Sequence, residues 1–194
     1  MKKLSSVVDH QTKKTAGNTA LTIDLETGSL PYYRKFEMVA QFVFAVQEVL
    51  NYTDPNHYGE PYISYHAMRH IMKNAFIDYP VPGVNYEQIL ISRGHLWNTH
   101  KAMAKAVSDT VVFSWTNDAG VGGARWDDQC IMVAYCETLN KCVFMRESEA
   151  RHWGEAQLAV PDFRSHKVHT WLGFISADSK RVSNSIYTGA ILVT

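Results

Sequence analysis

His66 and His70 are the residues whose type and spacing most directly suggest chemistry in this chain. They lie four residues apart, so a helix would present both imidazoles on one face, which is how helices supply two zinc ligands. In the metalloprotease motif a glutamate follows the first histidine, but Ala67 stands there, and a third ligand such as His57 would have to come from a loop. We therefore predict no metal and no cofactor, and interpret the pair as solvated or interfacial histidines.

A second polar group surrounds a glycine-containing loop at positions 119–126. Its oxygen-bearing members are Asn117, Asp118, Asp127 and Asp128. Oxygen-rich loops at the end of a β-sandwich can hold calcium, but the regular spacing of a calcium-binding loop is absent here. The same residue types are also common in plain turns. The sequence leaves both interpretations open.

Five tryptophans offer flat faces that could stack on sugars or contact a partner protein. Trp115 and Trp171 fall in predicted strands and are expected in the core, whereas Trp97, Trp126 and Trp153 fall in or beside predicted loops. We choose Trp97 and Trp126 as candidate interaction residues. No Ser-His-Asp or Cys-His pattern has supporting sequence context, so we predict no catalytic residues and no enzyme activity.

The charge balance excludes some classes of partner. Nineteen basic and nineteen acidic residues cancel over 194 positions, and this neutral chain lacks the basic surplus that phosphate contacts need, so we predict no nucleic-acid partner. The N-terminus has two lysines but no continuous apolar run of an export signal. No stretch approaches the length of a membrane span. We therefore expect a protein that is cytoplasmic as synthesised, without a membrane partner.

The N-terminal part of the chain is predicted to be helical after a polar arm. Residues 1–33 form the arm, in which only residues 21–25 alternate as a strand would. A helical segment follows over residues 34–83, with one helix at about 34–50 and a second at about 64–77, capped by Ser64. The first helix carries an apolar stripe, which is a candidate contact surface: Phe36, Val39, Val43, Val46 and Leu50.

The remaining residues, 84–194, alternate with the period of two that is typical of β-strands. Strands are predicted near residues 86–92, 110–116, 129–137, 141–146, 156–160, 168–176 and 184–193. Cys130 and Cys136 share a predicted strand face with Met132 and Ala134, so we interpret them as buried packing residues. The fold class is therefore α+β and mainly β. A two-helix N-terminal segment precedes an antiparallel β-sandwich of immunoglobulin or fibronectin type.

Several fragments together resemble a known family. They are NYEQILISRGHL at 85–96, FSWTNDAG at 113–120, DDQ at 127–129, WLGFISAD at 171–178 and VSNSIYTG at 182–189. Their order and spacing are similar to those of an uncharacterised family, a domain of unknown function that is widespread in Bacteroidota genomes. The resemblance covers most of residues 36–193. It implies a helical part followed by a β-sandwich, and it implies no catalytic residue.

These patterns favour a non-enzymatic structural or interaction protein. We expect protein partners, in a homo-oligomer or a larger assembly, and the specific prediction is a bacteriophage-particle or mobile-element product that would be incorporated into a virion. Two alternatives stay open. A glycan-binding module would expose Trp126 or Trp97 beside polar side chains, and a metal-dependent hydrolase would bring His66 and His70 together with a third ligand.

Overall fold

The computed structural model describes residues 32–53, 62–78, 81–146 and 148–194. All of the predicted arm except its last two positions lies outside these residues. So do the strand expected at residues 21–25 and the third candidate metal ligand, His57.

Three α-helices are present in the described residues, where the sequence predicted two. They are α1 at Tyr32–Ala45, α2 at Gln47–Thr53 and α3 at Tyr62–Asn74. The apolar spacing that predicts one helix at 34–50 runs through Val46 without interruption, so it does not separate α1 from α2. The hydrogen-bond ladder also continues across this boundary, with Val46 N donating to Phe42 O at 3.1 Å. Ser64 lies two residues inside α3 and is not its cap. None of the described helices combines the length and apolarity required to cross a membrane.

The described strands form three antiparallel sheets. The strands are β1 (Phe76–Ile77), β2 (Gly83–Val84), β3 (Ala102–Val107), β4 (Thr110–Trp115), β5 (Gln129–Cys136), β6 (Lys141–Met145), β7 (Glu155–Ala159), β8 (Lys167–Ile175) and β9 (Ile186–Leu192). β1 and β2 pair alone, the smaller main sheet has the order β3-β4-β7, and the larger has the order β6-β5-β8-β9. The mainly β, antiparallel character that the sequence predicted is confirmed.

The larger sheet is apolar on both faces. Ile131 and Val133 of β5 and Trp171 of β8 point to one face, where they pack against residues of the helices. Cys130 and Met132 point to the opposite face and pack against the smaller sheet. The alternation predicted for β5 and β8 is therefore confirmed, and the molecule has three layers, with the larger sheet between the helices and the smaller sheet.

The strand predicted at residues 86–92 is absent. A 3-10 helix spans Tyr86–Gln88, and Asn85 caps it by accepting a hydrogen bond from Glu87 N at 3.2 Å. Side chains replace a β ladder as partners of the backbone that follows: Trp171 Nε1 donates to Ile89 O at 3.0 Å. The apolar residues of this segment still enter the core, which is why their spacing imitates a strand.

Candidate functional site

A buried ion pair organises the loops at one end of the two main sheets. Arg151 and Asp128 are both inaccessible to solvent, and Arg151 Nε lies 3.2 Å from Asp128 Oδ2. The guanidinium carbon lies 3.8 Å from the centroid of the Phe174 ring, a cation–π contact with the core. Burial lowers the pKa of Arg151, and the neighbouring carboxylate opposes that shift. Each group of the pair therefore has a group of opposite charge beside it, which offsets part of the cost of burying the two.

Arg151 also makes three hydrogen bonds to neighbouring loops and strands. Its Nη2 donates to Trp97 O at 2.7 Å, and its Nη1 donates to Asn98 O. Its own carbonyl accepts a hydrogen bond of 2.7 Å from Trp115 Nε1. A planar guanidinium can make several such bonds in fixed directions. Through its side chain and its own carbonyl, the buried residue Arg151 thus connects the loop before β3, the end of β4 and the turn before β7.

The residues around this pair present a continuous aromatic surface, which we define as Trp126, His152 and Trp153. Trp126 is 61% exposed and Trp153 is 67% exposed. The His152 ring lies between them, with centroid distances of 5.6 Å to Trp126 and 5.1 Å to Trp153. Because His152 N also donates to Trp126 O at 3.2 Å, the backbones that carry these rings are joined. The aromatic surface is therefore both exposed and anchored.

A second aromatic pair, Trp97 and His100, depends on the same network. Their ring centroids are 5.2 Å apart, and Trp97 is 37% exposed. Asp118 Oδ2 accepts a hydrogen bond from His100 N at 2.7 Å and lies 3.1 Å from His100 Nδ1. Burial raises the pKa of Asp118, but hydrogen bonds from His100 and Thr99 outweigh it, so the pKa is lowered overall. This carboxylate acts as an orienting group for the histidine.

Gly122 allows the loop after β4 to lie against this pair. Its φ is +53°, a left-handed conformation that favours glycine. A Cβ atom there would lie 3.1 Å from Trp97 Cβ, so a side chain would also press on the indole. The glycines of this loop therefore serve backbone conformation and close packing.

The four candidate calcium ligands all have structural partners. Asp118 binds His100, and Asp128 binds Arg151 and accepts from Arg125 N at 2.8 Å. Asp127 Oδ1 lies 3.3 Å from Arg125 Nε, while Asn117 Oδ1 accepts from Ala119 N at 3.2 Å. Each of these groups therefore has a loop-stabilising contact, while Asp128 Oδ1 is buried without a hydrogen-bond partner among the described residues.

The candidate zinc ligands lie on α3, on the other side of the larger sheet. His66 is exposed and His70 is half-buried. Burial, followed by the charge of Arg93, lowers the pKa of His70. Over residues 32–53, 62–78, 81–146 and 148–194, no three histidine, cysteine or acidic side chains are grouped so that they could hold a metal ion. The described part of the chain thus supplies no third ligand to this pair.

The apolar stripe of the first predicted helix mostly faces inward. Val39, Val43, Val46 and Leu50 are buried against the larger sheet, whereas Phe36 is 46% exposed. Four of the five stripe residues are therefore part of the core and are not accessible to a partner in this fold.

Sequence reasoning did not choose Arg151, His152 or Trp153 for the candidate site. Arg151 lies 23 residues from Asp128 and 54 from Trp97 along the chain, so no local pattern indicates the pairing. The sequence feature that could have indicated these residues is the succession of arginine, histidine and tryptophan directly before Gly154. Gly154 has a φ of +71° and ends the short 3-10 helix Arg151–Trp153.

Comparison with known proteins gives a family but no activity. The model of a family of unknown function, DUF6266, matches residues 12–189. The chain belongs to the DUF6266 family. Its membership confirms the resemblance to an uncharacterised domain family. A search of the curated proteins and a search of the solved structures each gave no match.

Proposed function

We propose that this DUF6266 protein is a non-enzymatic interaction module that works as a subunit of a homo-oligomer or a larger assembly. The observation that carries the proposal is the aromatic surface of Trp126, His152 and Trp153, exposed to solvent but fixed by the buried ion pair behind it. Tryptophan is strongly enriched among the residues that dominate binding energy at protein interfaces. A preorganised aromatic surface also loses little conformational freedom when it binds.

The position of the apolar stripe supports the choice of this surface. Since Val39, Val43, Val46 and Leu50 are buried inside the chain, the helical face that the sequence suggested retains only Phe36 at its exposed end. Outside the three α-helices, the most exposed aromatic side chains that the structure describes are Trp153 and Trp126, at 67% and 61%. These exposures support our proposal that the contact surface of the assembly lies at the loop end of the two sheets.

The test is the molar mass of the full chain in solution, measured by light scattering and native mass spectrometry over a range of concentrations. We expect a defined oligomer, and we expect Trp126→Ser with Trp153→Ser to weaken it at least about tenfold, equivalent to about 1.4 kcal/mol. Met103→Ser is the matched control, because Met103 is as exposed as Trp153, at 67%, but lies on β3. A monomer at every concentration would contradict the homo-oligomer, and a loss of oligomer in the Met103 variant would place the contact elsewhere.

Material purified from the natural source tests the larger assembly. Native mass spectrometry of such material reports stoichiometry, bound partners and bound metal together. We expect a co-purifying protein partner that dissociates in the Trp126→Ser variant. A partner that binds the variant and the natural chain equally would contradict the role of the aromatic surface.

A glycan-binding role is the second candidate, and one specific observation favours it. Trp126 is exposed between two polar neighbours, Arg125 and Asp127, whose side chains are 64% and 29% exposed and form an ion pair of 3.3 Å. An exposed indole beside such groups could stack on a sugar ring while they bind its hydroxyls. Binding on a glycan array that disappears in Trp126→Ala would favour this candidate. Array binding that disappears in Met103→Ser and persists in Trp126→Ala would contradict it.

We also propose four more specific properties of this protein. They are a place in a virion or mobile element, a cytoplasmic site of synthesis, an origin in Bacteroidota and a sandwich of immunoglobulin or fibronectin type. What supports the last of these is the pairing of two antiparallel sheets of three and four strands around a common apolar layer.

A further inference from the structure

A second surface, remote in sequence from the aromatic surface, lies between α1 and α3. It is a groove of about 400 Å³. Its walls are the side chains of Tyr32, Phe36 and Tyr65, which are 73%, 46% and 60% exposed, and Met68 and Met72 also line it. Aromatic rings and flexible thioethers adapt well to apolar side chains of a bound segment. The groove therefore fits an apolar segment better than a purely polar ligand.

The remaining residues of the groove carry one sign of charge. Lys35, Arg69 and Lys73 complete the lining. Lys35 forms an ion pair of 2.6 Å with Asp78. Arg69 and Lys73 are exposed and make no ion pair with any other residue that the structure describes. The groove thus combines an apolar surface with two cations, and its ligand should carry carboxylates among apolar side chains.

The chain itself contains a segment with this chemistry. Residues 21–30 read LTIDLETGSL, with Asp24 and Glu26 among leucine and isoleucine and with no basic residue. The family match begins at residue 12, so this segment and the groove belong to the same family domain. It is joined through Pro31 to Tyr32, which lines the groove. A segment tethered this closely has an effective concentration in the millimolar range.

We propose that residues 21–30 bind in the groove between α1 and α3 of the same chain. The leucine and isoleucine side chains contact the aromatic and methionine side chains, and Asp24 and Glu26 pair with Arg69 and Lys73. The segment would then cover an apolar surface that α1 and α3 leave exposed. This inference does not rest on the proposed function, because it concerns a contact within one chain.

Coupling of carboxylates to amines by a water-soluble carbodiimide tests the contact in the full natural chain. The reagent joins a carboxylate to a lysine amine only when the two are close, and mass spectrometry identifies the linked peptides. We expect Asp24 or Glu26 to be linked to Lys73. The ion pair of Lys35 with Asp78 is the positive control. Lys105, exposed on β3, is the matched amine that should not be linked to either acid.

Equal mixing of chains carrying light and heavy nitrogen separates the two possible sources of the segment. Links within one chain contain a single isotope, and we expect only these. Mixed-isotope links would show that the segment of a second copy fills the groove, and they would overturn the proposal. Formation of the Lys35–Asp78 link without any link from Asp24 or Glu26 would overturn it as well.

A charge reversal then tests the role of the cations. Arg69→Glu should lower the yield of the link to Lys73 about fivefold, since an exposed ion pair contributes up to about 1 kcal/mol. Lys105→Glu carries the same change of charge on another face and should leave that yield unchanged. Equal yields in the natural chain and the Arg69 variant would refute the pairing. The oligomer measurements on the tryptophan variants are unaffected by either result, so the two proposals fail separately.

Discussion

Removal of the Arg151 guanidinium should destabilise the protein more than almost any other single substitution. The change Arg151→Met keeps a long side chain but deletes the charge that faces Asp128, a carboxylate without access to solvent. It also deletes the donors to the carbonyls of Trp97 and Asn98. The carboxylate would retain a hydrogen bond of 2.8 Å from Arg125 N but no neighbouring cation of comparable burial.

The size of the effect follows from that environment. Breaking a buried ion pair by removing one partner costs about 3–5 kcal/mol. Two backbone acceptors also lose their donors. Because a domain of this kind is stable by only about 5–15 kcal/mol, Arg151→Met should lower the free energy of unfolding by a large fraction of its total. Asp128→Asn also leaves a buried charge unpaired, that of Arg151. We expect a smaller loss there, because the guanidinium keeps the carbonyls of Trp97 and Asn98 as acceptors. The amide oxygen can also still accept from Arg125 N.

Urea unfolding, followed by tryptophan fluorescence, measures the free energy of unfolding of each variant. The double variant Arg151→Met with Asp128→Asn completes a double-mutant cycle. With the buried charge of Asp128 also removed, the double variant should lose about 1–3 kcal/mol less than the sum of the two single losses. Should Arg151→Met fail to fold, Asp128→Asn and Arg151→Lys supply the comparison, because Arg151→Lys keeps the charge but loses the planar donor arrangement.

Two results would refute this reasoning. One is a loss below about 1 kcal/mol for Arg151→Met, the level of an exposed pair. The other is strict additivity of the two single variants, which would mean that the charges do not interact. A near-ultraviolet circular dichroism spectrum of Asp128→Asn also reports how firmly the tryptophan side chains near the ion pair are held. Because the Trp97 and Trp126 backbones depend on this network, we expect the tryptophan bands to weaken even where the fold is retained.

Three further predictions concern other parts of the fold. Burial lowers the pKa of His169 to about 4 from its ordinary 6.5, so as the pH falls from 6.5 to 4 the unfolded chain binds a proton that the folded chain excludes. The free energy of unfolding should fall by up to about 3 kcal/mol over that range. In His169→Gln the free energy of unfolding, measured with urea, should depend less on pH between 6.5 and 4. Burial raises the pKa of Cys130 to about 12; its thiolate fraction at pH 8 is then roughly 10³-fold below that of a free thiol, and alkylation should require unfolding. Rapid labelling in the native state would contradict this. A Cβ at Gly94 would lie 2.1 Å from Val182 O, so Gly94→Ala should lower the melting temperature by several degrees, whereas Gly83→Ala, with open space around it, should leave it nearly unchanged.

Strands with large apolar residues on both faces could be predicted from the sequence, and strands of small residues could not. The alternation of β8 was evident because Trp171 and Leu172 lie on opposite faces that are both buried. β3 has the sequence AMAKAV. Alanine, methionine and lysine favour helices, and the strand forms because β4 pairs with it over its whole length. Tertiary pairing here overrides local preference.

The exposed members of the candidate site were partly predictable, and the group that holds them in place was not. Trp126 and Trp97 fall in or beside predicted loops, which indicated that their indoles are exposed. A charged residue in a loop is ordinarily exposed, and Arg151 is buried only because Asp128, two backbone carbonyls and an aromatic ring converge on it. That convergence depends on loops that are distant in sequence, so it becomes visible only in three dimensions.

The position of the larger sheet as the middle layer constrains how this family can evolve. A shuffled gene that kept the strands but lost α1 and α2 would place Ile131, Val133 and Trp171 in water on a broad, flat surface. Such a product would associate with itself nonspecifically. Recombination that exchanges the N-terminal part alone should therefore be selected against, and we expect helices and strands to be inherited together.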